Sequence, residues 1–159
     1  MGTLVNERMA ARRPVVLIWI DAEAATLVRW TGTAHVERIA SDVPSRHVST
    51  GHVRHDPMVR HGGGGAAQDQ LARERLGHVR RYLDQVVAAI GADEDVEVLG
   101  PGEIREELAA ALKAVDGRRA RARVVGTEAA GPMTEPQLVA RLRARQGDFP
   151  RRVHRGQEA

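Results

Sequence analysis

The chemistry-bearing residues of this chain concentrate between positions 46 and 80, where histidines and arginines alternate up to a run of glycines and arginines resume beyond it. Gly62, Gly63, Gly64 and Gly65 follow Arg60 and His61 and precede Gln68. Glycine has no Cβ, so such a run lets a backbone pass close to RNA, or presents consecutive N–H groups to an anion where a helix begins. A flexible linker has the same composition. Phosphate-loop and dinucleotide-loop spacings are both absent, because no Gly-Lys-Ser/Thr follows and the glycines precede the wrong strand pattern. Arg73 and Arg80 stand about two helical turns apart on one face, a separation that suits successive phosphates. The pairs Asp69 with Arg73, Glu74 with His78 and Arg80 with Asp84 have i, i+4 spacing, which equally describes a solvated helix face worth tenths of a kcal/mol per pair.

Two further groups have a functional and a plainer reading. His47, His52, His55 and His61 are interleaved with Arg46, Arg54 and Arg60. Neutral imidazoles bind metals and partly protonated ones supplement arginine against phosphate, while a solvated polar loop has the same composition. Their spacing matches no zinc box, and no metal is expected. Asp21 ends the first apolar run, where ribonuclease H-like nucleases place a metal-binding carboxylate. Two-metal chemistry needs several acids converging on ions roughly 4 Å apart. The next parallel strand ends in Gly100-Pro101-Gly102, and its first acid, Glu103, already opens the following helix. Asp21 is therefore read as capping the turn before Ala25. The absence of cysteine removes disulfides, thiolate zinc sites and cysteine nucleophiles, and no cofactor is expected.

The elements that must position these residues follow from periodicity. The length, 159 residues, fits one domain. Apolar residues make up 42% and aromatic ones 3%, so the core must be built of Val, Leu, Ile and Ala, and stacking platforms for bases are scarce. The 23 arginines and one lysine against 21 acids leave a net charge of +3, compatible with phosphate contact or with a codon bias towards arginine. Val15–Ile20 is the longest apolar run, far short of the roughly 20 residues of a membrane span, and Met1–Arg13 carries no signal-peptide core. A cytoplasmic protein without membrane contact is expected.

Val15–Ile20 reads as a strand buried on both faces. Ala25–Trp30 and Ala34–Ile39 follow at the spacing of an antiparallel meander. Residues 40–67 lose periodicity and read as a long loop, which is usually functional or disordered when it occurs inside a domain. Leu71, Leu76, Val79, Leu83, Val86, Val87 and Ile90 mark an amphipathic helix ending at Gly91. Val96, Val98 and Leu99 make a short strand, Glu103–Val115 a helix stopped by Gly117, and Arg121–Thr127 a fifth strand. Thr134 and Gln137 have capping-box spacing for a last helix running to Arg145. The order βββαβαβα predicts an α/β domain with a ribonuclease H-like mixed sheet and helices on both faces. It would occupy residues 14–146, with a flexible N-terminus over 1–13 and a basic flexible tail over 147–159.

The opening strand Val15-Val16-Leu17-Ile18-Trp19-Ile20-Asp21 with Ala25, the glycine run leading into an arginine-bearing helix, Leu99-Gly100-Pro101-Gly102-Glu103 and Met133-Thr134-Glu135 together resemble bacterial relatives of the middle domain of archaeal and eukaryotic release factors and Pelota. The resemblance spans most of Val15 to Arg145, and no flanking decoding or partner-binding domain is expected. It implies the ribonuclease H-like fold of translational-machinery components. In release factors the equivalent loop carries Gly-Gly-Gln, whose Gln helps place water at the peptidyl-tRNA ester. Here Ala66 and Ala67 separate Gly64 and Gly65 from Gln68, and Pelota-like relatives lack the tripeptide and release no peptide.

The expectation that results is a ribosome- or tRNA-associated translation factor of release, rescue or hibernation type. Arg60, His61, Gly62, Gly63, Gly64, Gly65, Arg73 and Arg80 would contact RNA, and Gln68 would orient water if peptidyl-tRNA is hydrolysed. A homodimer or a separate partner would supply targeting. The alternatives are a metal-dependent nuclease using Asp21 and a non-catalytic self-associating domain.

Overall fold

A computed structural model describes residues 13–44, 64–119 and 123–147. Three strands come first: β1 (Val15–Ile20), β2 (Ala24–Trp30) and β3 (Ala34–Ala40). Helix α1 (Gly64–Ala88), strand β4 (Asp95–Gly100), helix α2 (Ile104–Arg119), strand β5 (Arg123–Ala129) and helix α3 (Glu135–Gln146) complete the order. The strands form one mixed sheet in the order β3-β2-β1-β4-β5, in keeping with the mixed sheet that the sequence predicts. The first three pair antiparallel, with Leu17 opposite Val28 and Val28 opposite Val36. β4 joins β1 in parallel, with Val16 beside Val96, and β5 joins β4 in parallel with a register shift at Val96/Glu97.

Alternation of side chains across the strands builds two cores. On one face Val16, Ile18, Ile20, Ala25, Leu27, Val96 and Val98 pack against Tyr82, Leu83 and Val86 of α1 and Leu108 and Leu112 of α2. On the other, Leu17, Val28 and Leu99 meet Leu138 and Leu142 of α3. The central position of β1 explains its unbroken apolar run: β2 and β4 flank it, and helices cover both its faces. Each fully buried leucine contributes roughly 2 kcal/mol through area removed from water.

Several boundaries differ from the expected ones. Residues 64–67, which have loop composition, form the first turn of α1, and Gln68 is helical too. Once the apolar face further along is anchored, each added residue gains a backbone hydrogen bond at small cost, so the helix propagates backward through Ala67 and Ala66 into the glycines. At the other end of the expected loop, Ala40 pairs with Ala24 and belongs to β3. α1 ends at Ala88 rather than Gly91, α2 runs through Gly117 to Arg119, and β5 lies two residues later than the sequence predicts. The capping box of α3 is present in both halves: Gln137 N donates to Thr134 Oγ1, and Thr134 N donates to Gln137 Oε1 at 2.9 Å. Gly147 closes that helix with φ at 75°. Residues 1–12 and 148–159, and 45–63 of the expected long loop, lie outside the described residues. Among the described residues no helix is long and apolar enough to cross a membrane.

Candidate nucleic-acid interface

The sequence-predicted site divides on α1. The C-terminal turns of this helix are held to the sheet by Val79, Tyr82, Leu83 and Val86, and the Tyr82 hydroxyl donates to the carbonyl of Asp21 at 3.1 Å. Burial pushes that hydroxyl well above the usual tyrosine range, and the nearby Asp21 carboxylate adds to the shift. Tyr82 therefore acts as a neutral donor that ties the helix to the end of β1. Towards the N-terminus residues 65–74 are all exposed, and Leu71 and Leu76 are left 65% and 58% exposed. This half of the helix extends past the edge of its core.

Gly64 and Gly65 sit in the first turn of this projecting segment and Gln68 one turn further on. A Cβ at Gly65 would meet nothing within 4 Å, so no internal packing requires glycine there. The first turn carries no acidic side chain, which leaves the positive end of the helix dipole unneutralised by its own residues. Arg73 and Arg80 are exposed, lie about 10 Å apart along the axis, and make no ion pair among the described residues. The Glu74–His78 pair expected from spacing is replaced. Glu74 accepts from Gln70 at 3.3 Å, and His78 Nδ1 lies 3.0 Å from Asp42 Oδ2 instead of meeting Glu74.

Arg60, His61, Gly62 and Gly63 lie outside the described residues, as do His47, His52, His55, Arg46 and Arg54. Of the residues expected to meet RNA, the described ones, Gly64, Gly65, Arg73 and Arg80, share one helix with Gln68.

Asp42 joins this helix without any forewarning in the sequence. It reaches α1 from the segment after β3, and the hydrogen bond to His78 holds its carboxyl below the usual carboxylate range, with the charge of Arg81, 3.7 Å away, acting in the same direction. Arg75 also donates to the carbonyl of Pro44. These contacts steer the chain leaving β3 alongside the middle of α1. Only tertiary proximity joins positions 36 residues apart, so no local spacing signals the pair.

The inner side of the same helix borders an open groove of about 1070 Å³ at the carboxyl ends of β1 and β4. Among the described residues, Asp21, Glu23, Glu103 and Glu107 line it with a single arginine, Arg75. That balance repels a polyanion, so the outer, arginine-bearing face of α1 is the face suited to phosphate. Asp21 itself is engaged in its turn, where one carboxylate oxygen accepts from the backbone N–H groups of Glu23 and Ala24, both at 2.8 Å. Among the described residues no three His, Asp or Glu side chains are placed to hold a metal ion.

Gly100 precedes the groove-lining Pro101 and Gly102 and sits against the end of β1. Its φ is +146°, and a Cβ there would stand 2.0 Å from the carbonyl oxygen of Ile20. Its own carbonyl accepts from Arg105 Nη1 at 2.8 Å and from Ala130 N at 3.2 Å. The Gly-Pro-Gly punctuation is thus where the chain leaving β4 passes against the end of β1.

On the opposite face Glu97 is nearly fully buried, and Arg141 and Arg145 of α3 approach it at 2.9 and 3.2 Å. Arg141 also holds Glu128 at 2.6 Å. Hydrogen bonds to Glu128 and Glu97 raise the pKa of Arg141, so it remains charged throughout the accessible range. This network fastens α3 over β4 and β5.

No family model matches the chain, and no curated protein matches it. Among solved structures it is similar to the Pelota protein of Thermoplasma acidophilum, with a TM-score of 0.46, 14% identity and coverage of 89% of this chain. The chain spans 36% of the length of that protein.

Proposed function

We propose that this chain is a ribosome- or tRNA-associated translation factor that presents the outer face of α1 to RNA phosphates. The observation that carries the reading is the wholly exposed stretch 65–74, with Arg73 and Arg80 exposed on a helix whose other half is anchored in the core. The sequence resemblance to release-factor middle domains supplies the partner class. Arg60, His61, Gly62 and Gly63 would extend the contact from the preceding segment, and Gly64 and Gly65 give the helix start a surface without side chains. Catalysis is optional in this reading. If peptidyl-tRNA is hydrolysed, Gln68 would orient the water through its amide from the second turn of α1, with no metal or side-chain nucleophile.

Co-sedimentation with ribosomes across a salt series tests it, because each phosphate contact adds about 0.7 to 0.9 to the slope of log affinity against log salt. The double variant Arg73→Ala, Arg80→Ala should bind more weakly and with a slope smaller by about 1.5. No sedimentation at low salt removes the partner class, and an unchanged slope removes these two arginines. Equal peptide release by wild type and Gln68→Ala would deny Gln68 a catalytic role.

A further inference from the structure

The outer edge of β3 offers a second interaction surface, independent of the helix. β3 is an edge strand, and six of its seven residues are exposed, Ile39 alone being half-buried. No described strand pairs with its far side, which leaves a row of backbone donors and acceptors in position to template another strand. Beside it, between β3 and α3, lies an apolar groove of about 350 Å³ whose lining includes Ala34, Val36, Val139 and Glu135. Val36 is 39% exposed at its floor. An edge with an open apolar groove behind it suits strand addition.

Side-chain alternation decides which strand fits. In an antiparallel pairing about a two-fold axis normal to the sheet, residues directly opposite point to the same face, so β3 can meet its own copy only with Val36, Glu37 or Arg38 near the axis if several residues are to pair. Centring on Glu37 or Arg38 sets a like charge against itself. Centring on Val36 sets Val36 against Val36, His35 against Glu37 and Ala34 against Arg38. In that register the two exposed valines cover each other. The copy's Arg38 then lies opposite Ala34, which shares the groove with Glu135. Neither Arg38 nor Glu135 makes an ion pair among the described residues, so the two can complement each other twice across a closed two-fold contact.

We infer that this chain forms a homodimer in which β3 pairs antiparallel with the β3 of a second copy in the register centred on Val36, making one continuous sheet, with Arg38 of each chain reaching Glu135 of the other. The charges on the edge act as a register filter, because the slipped pairings that would invite open-ended aggregation place like charges together.

Sedimentation equilibrium of the full chain over a concentration series, with thermal unfolding as the control for folding, decides the matter. Wild type should show a monomer–dimer equilibrium. Arg38→Glu and Glu135→Arg should each weaken it by about tenfold or more, and the combination of both should return it to near the wild-type value. Because both residues are exposed surface positions, unfolding temperatures at low concentration should stay near wild type. A wild-type monomer throughout, a dimer indifferent to both single changes, or a double variant as weak as the singles would each overturn the inference.

Discussion

Gly100 shows how one residue type can hold two elements in register. Its backbone runs so close to the carbonyl of Ile20 that a methyl group has no room, and its φ lies where side chains are strained. Gly100→Ala should therefore destabilise the fold by about 3 kcal/mol or more, measured by urea unfolding. Glu94 shows the same dependence on tertiary partners in its titration. Burial pushes its carboxyl up, but hydrogen bonds from Arg29 and from the backbone N–H of Gly91, at 2.6 and 2.7 Å, outweigh burial and leave it below its ordinary value. A carboxyl depressed in the folded state stabilises the protein above the unfolded-chain pKa, and that contribution disappears as pH falls through the folded value. Wild type should accordingly lose stability below about pH 4, and Glu94→Gln should lose that share of the acid limb. Thermal unfolding midpoints between about pH 2 and 6 in both proteins provide the comparison, with the variant flatter in this window.

At the scale of elements, α1 is two structures in one. Its C-terminal half is core, and its N-terminal half is a projecting surface where nothing packed on Gly65 requires a glycine. Gly65→Ala should stabilise the helix by a few tenths to about 1 kcal/mol, seen as a higher urea midpoint. Ribosome binding by the same variant should weaken, because a side chain would then stand on the approach to the backbone. Stabilisation without loss of binding would return Gly65 to the role of an ordinary helical residue. The existence of this helix was legible in Val79, Leu83 and Val86, which recur at helical spacing. Its start was not, because Gly64 and Gly65 have loop composition and the helix reaches them only by propagation from an anchored end. The start of α3 was legible to the residue, because Thr134 and Gln137 make their bonds to each other's backbone and need no distant partner.

For the whole molecule, the sheet gives the two faces unequal cover: α1 and α2 lie on one side, and α3 alone on the other among the described residues. The narrower cover leaves Val36 and the edge of β3 open, while the pairing of Glu97 with Arg141 and Arg145 fastens the single helix in place. Charge is partitioned in the same way, with an acidic groove on the inner side of α1 and arginines on its outer side. The sequence by itself determined the order of elements and the burial of β1 on both faces, because an unbroken apolar run leaves neither side of a strand suited to water. It also determined the turn at Asp21, since an aspartate reaches the N–H groups two and three residues on without help from elsewhere. Tertiary structure alone decided that Asp21, Glu103 and Glu107 share a groove, that Asp42 meets His78, and that Glu97 lies buried between two arginines. Those meetings join residues tens of positions apart, and side-chain periodicity carries information only over the few residues of a turn or a strand.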